Sequence, residues 1–167
     1  MMNLIPEILS FADEITALRR DIHAHPEIGF QEHRTADLVA SYLKRYGIET
    51  HRNIGGTGVV GVLRGKGNGR NIGLRADMDA LPMQEATGLA YASCHSGVFH
   101  GCGHDGHTAM LLAAARYLAG SPKLEGDVIF IFQPAEEGLG GAARMIADGL
   151  FTRFPCDEIY ALHNWPG

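Results

Sequence analysis

Between Phe99 and Thr108 the chain reads FHGCGHDGHT, ten residues that hold three histidines, a cysteine, an aspartate and three glycines. Thiolate and imidazole together form a donor set that suits zinc and other late divalent metals. Cys102 and His104 are two residues apart. That spacing lets both face one point from an extended or looping segment, whereas a helix would send them to different sides. Gly101, Gly103 and Gly106 allow the backbone to bend around an ion. Taken alone the C-x-H spacing is a weak signal, because a glycine-rich loop leading into a helix can carry such a pair by chance.

Other clusters carry matching chemistry. QPAEEG holds Glu136 and Glu137, which are adjacent and so cannot project the same way. One carboxylate can then bind a metal while its neighbour reaches an activated water as general base. RADMDALP holds Asp77 and Asp79. Either could hold a metal or orient an imidazole, and Asp77 could simply cap a strand end; support of an imidazole is the reading favoured for Asp79. His163 follows the apolar EIYAL directly and is a ligand candidate, set against a histidine satisfied in the core. His23 and His25, in HAHPE, have only Glu27 nearby and read as structural or supporting. His100 and His107 flank the Cys102–His104 pair and could contact substrate or stabilise negative charge. His33, His51 and His95 read as surface or loop residues, and Cys94 and Cys156 as buried or half-buried thiols.

The elements that must position these groups follow from periodicity. Ile8, Phe11, Ile15, Leu18 and Ile22 predict an amphipathic helix over 7–22, stopped by Pro26. Ala36, Val39, Ala40 and Leu43 predict another over about 31–46, ending at Gly47. Helices are also expected over 108–118 and 141–148, the latter closed by Gly149. Strands are expected over 59–63, 71–75, 127–132 and 158–162, with RGKGNGR as a turn. Strands alternating with helices imply an α/β architecture with a largely parallel sheet. Three of these strands run straight into the carboxylate and histidine clusters, and open α/β sheets build their sites beyond the carboxyl ends of strands. The glycine-rich stretch would then form a fourth wall. Gly56, Gly58 and Gly61 match G-x-G-x-x-G, but they lead into a strand rather than a helix and do not support nucleotide binding.

Composition bounds the rest. A chain of 167 residues suits one domain. A net charge of −5 without a run of Lys or Arg argues against a nucleic-acid partner. No apolar run approaches the ~18 residues that span a membrane. Three cysteines without framework spacing, and an N-terminus without the pattern of a signal peptide, lead to the expectation of a reducing, cytoplasmic setting. The chain ends at HNWPG, straight after a strand and with no closing helix, as an unfinished domain would.

RRDIHAHPEIGFQE, RADMDALPMQE, FHGCGHDGHTAMLL, FQPAEEGLGGA and ALHNWPG stand in one order along the chain. In that order they resemble the metal-dependent amidohydrolases of the hippurate hydrolase, aminoacylase and auxin-conjugate hydrolase group, within the wider zinc exopeptidase superfamily. The resemblance implies a three-layer α/β/α catalytic domain, incomplete at the C-terminus, with residues 1–167 as its N-terminal portion. It implies a two-metal centre of zinc, manganese, cobalt or nickel, held by Cys102, His104, Glu137 and His163. Glu136 matches the general base and Asp79 a supporting carboxylate. The implied substrates are N-acyl amino acids, with dipeptides or N-acetylated biosynthetic intermediates as alternatives, and a non-catalytic metal-binding remnant as the rival reading. Such enzymes carry a lid domain, often used for dimerisation, and a return segment with a further histidine ligand; both are absent here. The expectation is a second metal site that is incomplete and a chain that, alone, binds metal weakly and hydrolyses poorly or not at all.

Overall fold

The computed structural model describes residues 5–121 and 123–165. Helix α1 (Pro6–Leu9) has proline at its first position, where a missing N–H is harmless, and closes as the Ser10 hydroxyl donates to the Glu7 carbonyl at 2.6 Å. The chain turns at Phe11, φ −125°, into α2 (Ala12–Ala24). The single helix expected over 7–22 is therefore two, with Phe11 buried at their junction. Helix α3 (His33–Arg45) buries Ala36, Val39, Ala40 and Leu43, as its spacing requires. Strand β1 (Glu49–Ile54) has no alternating signature, because only Ile54 of ETHRNI is buried. There follow β2 (Gly58–Leu63), β3 (Ile72–Asp77), α4 (His104–Ala119), β4 (Val128–Gln133), α5 (Gly141–Ala147), α6 (Leu150–Arg153) and β5 (Glu158–Ala161).

The strands form one sheet in the order β1-β2-β4-β3-β5. β3 pairs parallel with β4 and β5, whereas β2 pairs antiparallel with β1 and β4. The expectation of a largely parallel sheet is thus corrected to a mixed one. β1 and β2 are joined by a tight hairpin, and a connection that short can only reverse the chain. The link 64–71 also lacks a helix, so β3 runs opposite to β2 with β4 slotted between them.

Alternation along β4 divides the core. Val128, Phe130 and Phe132 pack with Leu18, Ile22, Val39, Leu43 and Leu112 from α2, α3 and α4. Ile129 and Ile131 pack on the other face with Met145 of α5 and Leu150 of α6. Helices therefore cover both faces, giving the expected α/β/α layers. β5 departs from expectation. It lies at the rim of the sheet, bonded only to β3, and its Ile159 and Tyr160 are exposed, so His163 does not follow a buried strand. Cys94, expected to be buried or half-buried, is exposed, while Cys156 is half-buried. Among the described residues no helix is long and apolar enough to cross a membrane.

Glu32, just ahead of α3, has no exposed surface. Its carboxylate accepts the Ala135 N–H at 2.8 Å and the Thr57 hydroxyl. Burial outweighs these hydrogen bonds and raises its pKa above the ordinary carboxylate value. An acid whose pKa rises on folding contributes fully to stability below its unfolded pKa and loses that contribution as pH climbs through the folded value. Glu32→Gln keeps an acceptor for Ala135 and carries no charge. Thermal melts across pH are expected to show this variant matching the parent in acid and exceeding it at neutral pH; identical midpoints at neutral pH would count against the burial argument.

Candidate metal centre

Helix α4 begins at His104, four residues before the Thr108 start suggested by its apolar run, so His104 is helical while Cys102 lies in the preceding turn. Gly103 between them has φ +84°, and a Cβ there would sit 2.5 Å from the Asn164 side-chain oxygen. The twist at this glycine separates the two residues into different local conformations, and their donors meet. Cys102, His104 and His163 each bring a ligand atom to within 4.8 Å of the others, with Cys102 Sγ 3.9 Å from His163 Nε2. His104, Glu136 and Glu137 form a second such group. The other three expected ligands and the expected base therefore lie around the His104 imidazole, at the rim where β3, β4 and β5 end.

His104 donates its Nδ1–H to the Asp79 main-chain carbonyl at 2.8 Å, with Asp79 Oδ1 at 3.3 Å, which in the neutral imidazole leaves Nε2 carrying a lone pair. That nitrogen is buried without a hydrogen-bond partner, as is Glu137 Oε1, and the two atoms are 3.7 Å apart. Two bare acceptors facing each other out of water are unfavourable unless something positive joins them. Donors that share one cation at about 2.0–2.2 Å each would stand at this order of separation. The donor set fits a divalent cation. Asp79 Oδ2 also accepts the Glu137 N–H at 3.0 Å, so this carboxylate orients both an imidazole and an acid.

Both glutamates leave β4 through Ala135, whose φ of +51° is left-handed, a conformation that costs a non-glycine residue about 1–3 kcal/mol. Its N–H is held by Glu32, and its carbonyl accepts the Gly141 N–H at 2.9 Å. A Cβ at residue 141 would lie 1.7 Å from the Pro134 carbonyl oxygen, so the turn can close only on glycine. Beyond this turn Glu136 is exposed and Glu137 half-buried.

Electrostatics reflect the crowding of acids. Burial, a hydrogen bond with Glu137 and the charges of Glu137, Glu136 and Asp77 push the Cys102 thiol up to about 11. Burial opposes charge on His104, but its hydrogen bond to Asp79 and the nearby Asp77 and Glu137 carboxylates outweigh that and raise its pKa. Burial likewise opposes ionisation of Asp77 and Asp79. At Asp77 the hydrogen bond from His107 and the charges of His104 and Arg75 prevail; at Asp79 hydrogen bonds from His104 and the Glu137 and Glu136 amides do so, and both acids are held below the usual range.

The remaining histidines divide by partner. His107 is buried with Nδ1 2.7 Å from Asp77 Oδ1, and its Nε2 meets Asn164. Both ring nitrogens are committed, so of the two readings offered for His107, contact with substrate finds no free ring nitrogen, while its bond to Asp77 does stabilise a negative charge. That commitment also makes the Asp77–His104–His107 triplet a poorer cation site than the other two groups. His23 is structural, as expected: its ring bridges Asp105 Oδ2 at 2.8 Å and Glu85 Oε1 at 3.2 Å. His100 is buried with neither nitrogen bonded, and burial drives its pKa down to about 4, so it is neutral near pH 7. His33 and His95 are exposed, and His51 pairs with Glu49. Glu32 and Thr57 were not marked by any local pattern, since their partners lie far away in the chain, whereas Asp105 stood in the opening cluster and Asn164 beside His163 without a role being read for either.

A three-layer α/β/α domain with thiolate, imidazole and carboxylate donors at the strand ends defines a metallopeptidase-like class, and the chain belongs to peptidase family M20/M25/M40, whose pattern matches residues 73–167. It is 56% identical to hippurate hydrolase of Campylobacter jejuni over 165 residues, covering 99% of this chain and 43% of that one. Thermostable carboxypeptidase 1 of Saccharolobus solfataricus is 44% identical over 161 residues, which cover 94% of this chain and 40% of the relative. Among solved structures, the Bacillus subtilis YXEP protein, a dinuclear metal binding peptidase from the M20 family, superposes with a TM-score of 0.89 at 39% identity. That match covers 95% of this chain and 44% of the other. The chain thus spans less than half the length of these relatives.

Proposed function

We propose that this chain is the N-terminal portion of the catalytic domain of a metal-dependent amidohydrolase that cleaves the amide bond of N-acyl amino acids. The observation that carries the reading is the pair of buried, unpartnered acceptors, His104 Nε2 and Glu137 Oε1, 3.7 Å apart beside Cys102 and His163. In this reading Cys102, His104, Glu137 and His163 hold divalent cations, and the sulfur favours zinc, cobalt or nickel over manganese. Bound there, the cations would polarise the amide carbonyl and acidify the attacking water. Exposed Glu136 takes a proton from that water and returns it to the leaving amine nitrogen. Asp79 keeps the His104 lone pair aimed inward and anchors the Glu137 backbone. Further ligands and the cover of the substrate cleft come from sequence outside these residues, so the isolated chain binds cations weakly and turns over little.

The test joins the chain to the downstream segment of its Campylobacter relative. The joined enzyme is expected to release benzoate from hippurate at about 1 per second or faster. Chelation should abolish the activity and zinc or cobalt restore it. Hydrolysis that survives exhaustive chelation would end the proposal. Free peptides assayed in parallel examine the carboxypeptidase alternative that the Saccharolobus relative suggests.

A second expectation concerns pH. A thiol at about 11 is protonated near neutrality and must release its proton when it binds a cation. Apparent affinity should therefore rise with pH, by about tenfold per unit for that proton. Calorimetric titrations in buffers of different ionisation enthalpy count the protons released, and Cys102→Ser is expected to lower the count by one. An unchanged count would take Cys102 out of the ligand set.

A further inference from the structure

Glu32 lies outside the donor groups, yet it touches the backbone from which two of them are launched. It has no exposed surface and joins three segments: the start of α3, Thr57 in the β1–β2 hairpin, and Ala135 at the end of β4. Thr57 is itself buried, and its hydroxyl donates to Oε2, while Oε1 accepts the Ala135 N–H at 2.8 Å. Ala135 is fully buried and left-handed, and the residues after it are Glu136 and Glu137. Side chains on that turn point where its backbone sends them, so the bond to Ala135 fixes their direction. A leucine or methionine would fill the same space without the desolvation penalty of a buried acid. What the acid adds is an acceptor at the Ala135 N–H.

We propose that Glu32 is a positioning residue for the candidate centre: clamped by Thr57, it fixes the left-handed turn at Ala135 and so aims Glu137 at His104 and Glu136 at the space beside it. The inference rests on the functional reading above, and it adds the part that α3 and the β1–β2 hairpin play in that site.

Cobalt(II) titrated into the joined enzyme, followed by its visible absorption, reads the arrangement directly, and melts without cation report on the fold. Glu32→Ala is expected to weaken cobalt binding by about 10–100-fold, the range for loss of an outer partner of a metal ligand, and to alter the absorption of the bound ion. Glu32→Gln keeps the acceptor at Ala135 and should restore parental affinity and spectrum. A folded Glu32→Ala that binds cobalt like the parent, with the same spectrum, overturns the proposal, as does a Gln variant that behaves like the Ala variant. Should Glu32→Ala fail to fold, Thr57→Val removes the clamp with little change of shape: weakened binding supports the proposal and unchanged binding overturns it. If the joined parent enzyme takes up no cobalt, the functional reading itself fails and Glu32 with it, whereas parental uptake with indifferent variants removes Glu32 alone.

Discussion

Replacing Glu136 by glutamine in the joined enzyme is expected to lower kcat about 10²–10⁴-fold while leaving cation content unchanged. Glutamine matches the size and reach of the acid but cannot accept the proton of the attacking water. The two neighbouring acids can be told apart because the turn at Ala135 leaves Glu136 exposed and sets Glu137 Oε1 3.7 Å from His104 Nε2. Glu137→Gln should therefore show the opposite pattern, with cation lost first and activity in consequence. Initial rates on hippurate alongside metal analysis of the same samples decide the matter. A Glu136→Gln enzyme with parental kcat would remove this residue from the proton-transfer role.

His104→Ala is expected to have the largest effect on cation binding. His104 alone belongs to every donor group formed by the described residues. Loss of a residue that merely orients a ligand weakens binding by about 10–100-fold, so loss of the shared imidazole should cost at least about 100-fold. The side chain is fully buried, and its removal leaves the Asp79 carbonyl without its donor. Circular dichroism must therefore accompany the cobalt titration, so that unfolding is not mistaken for loss of a ligand. Cobalt affinity close to that of the parent in a folded His104→Ala chain would contradict the shared centre.

The site was more legible than the sheet that carries it. Glu136, Glu137, Asp79 and His163 stand directly after strands whose ends were readable from apolar runs, and polar residues at such ends converge. Cys102 and His104 were readable from donor chemistry once set beside the carboxylate and histidine clusters, although the helix start at His104 was not, because HDGH has no apolar spacing to mark it. β1 escaped because a polar rim strand with one buried residue lacks alternation. The antiparallel half of the sheet escaped because strand and helix counts do not record which connections lack a helix. The roles of Glu32 and His107 were invisible for a simpler reason: Glu32 acts on Ala135, 103 residues away, and His107 on Asp77 and Asn164, at separations of 30 and 57, and no local pattern encodes such pairings.

The outer side of β5 has a practical meaning for anyone who prepares this chain. Nothing among the described residues pairs with that side, and Ile159, Tyr160, Leu162 and Trp165 lie exposed along it and just past its end. Unpaired amides next to greasy side chains are a template on which another extended segment can grow. Concentrated stocks will accordingly tend to self-associate through this rim, and binding data gathered from them would describe clumped rather than solitary molecules.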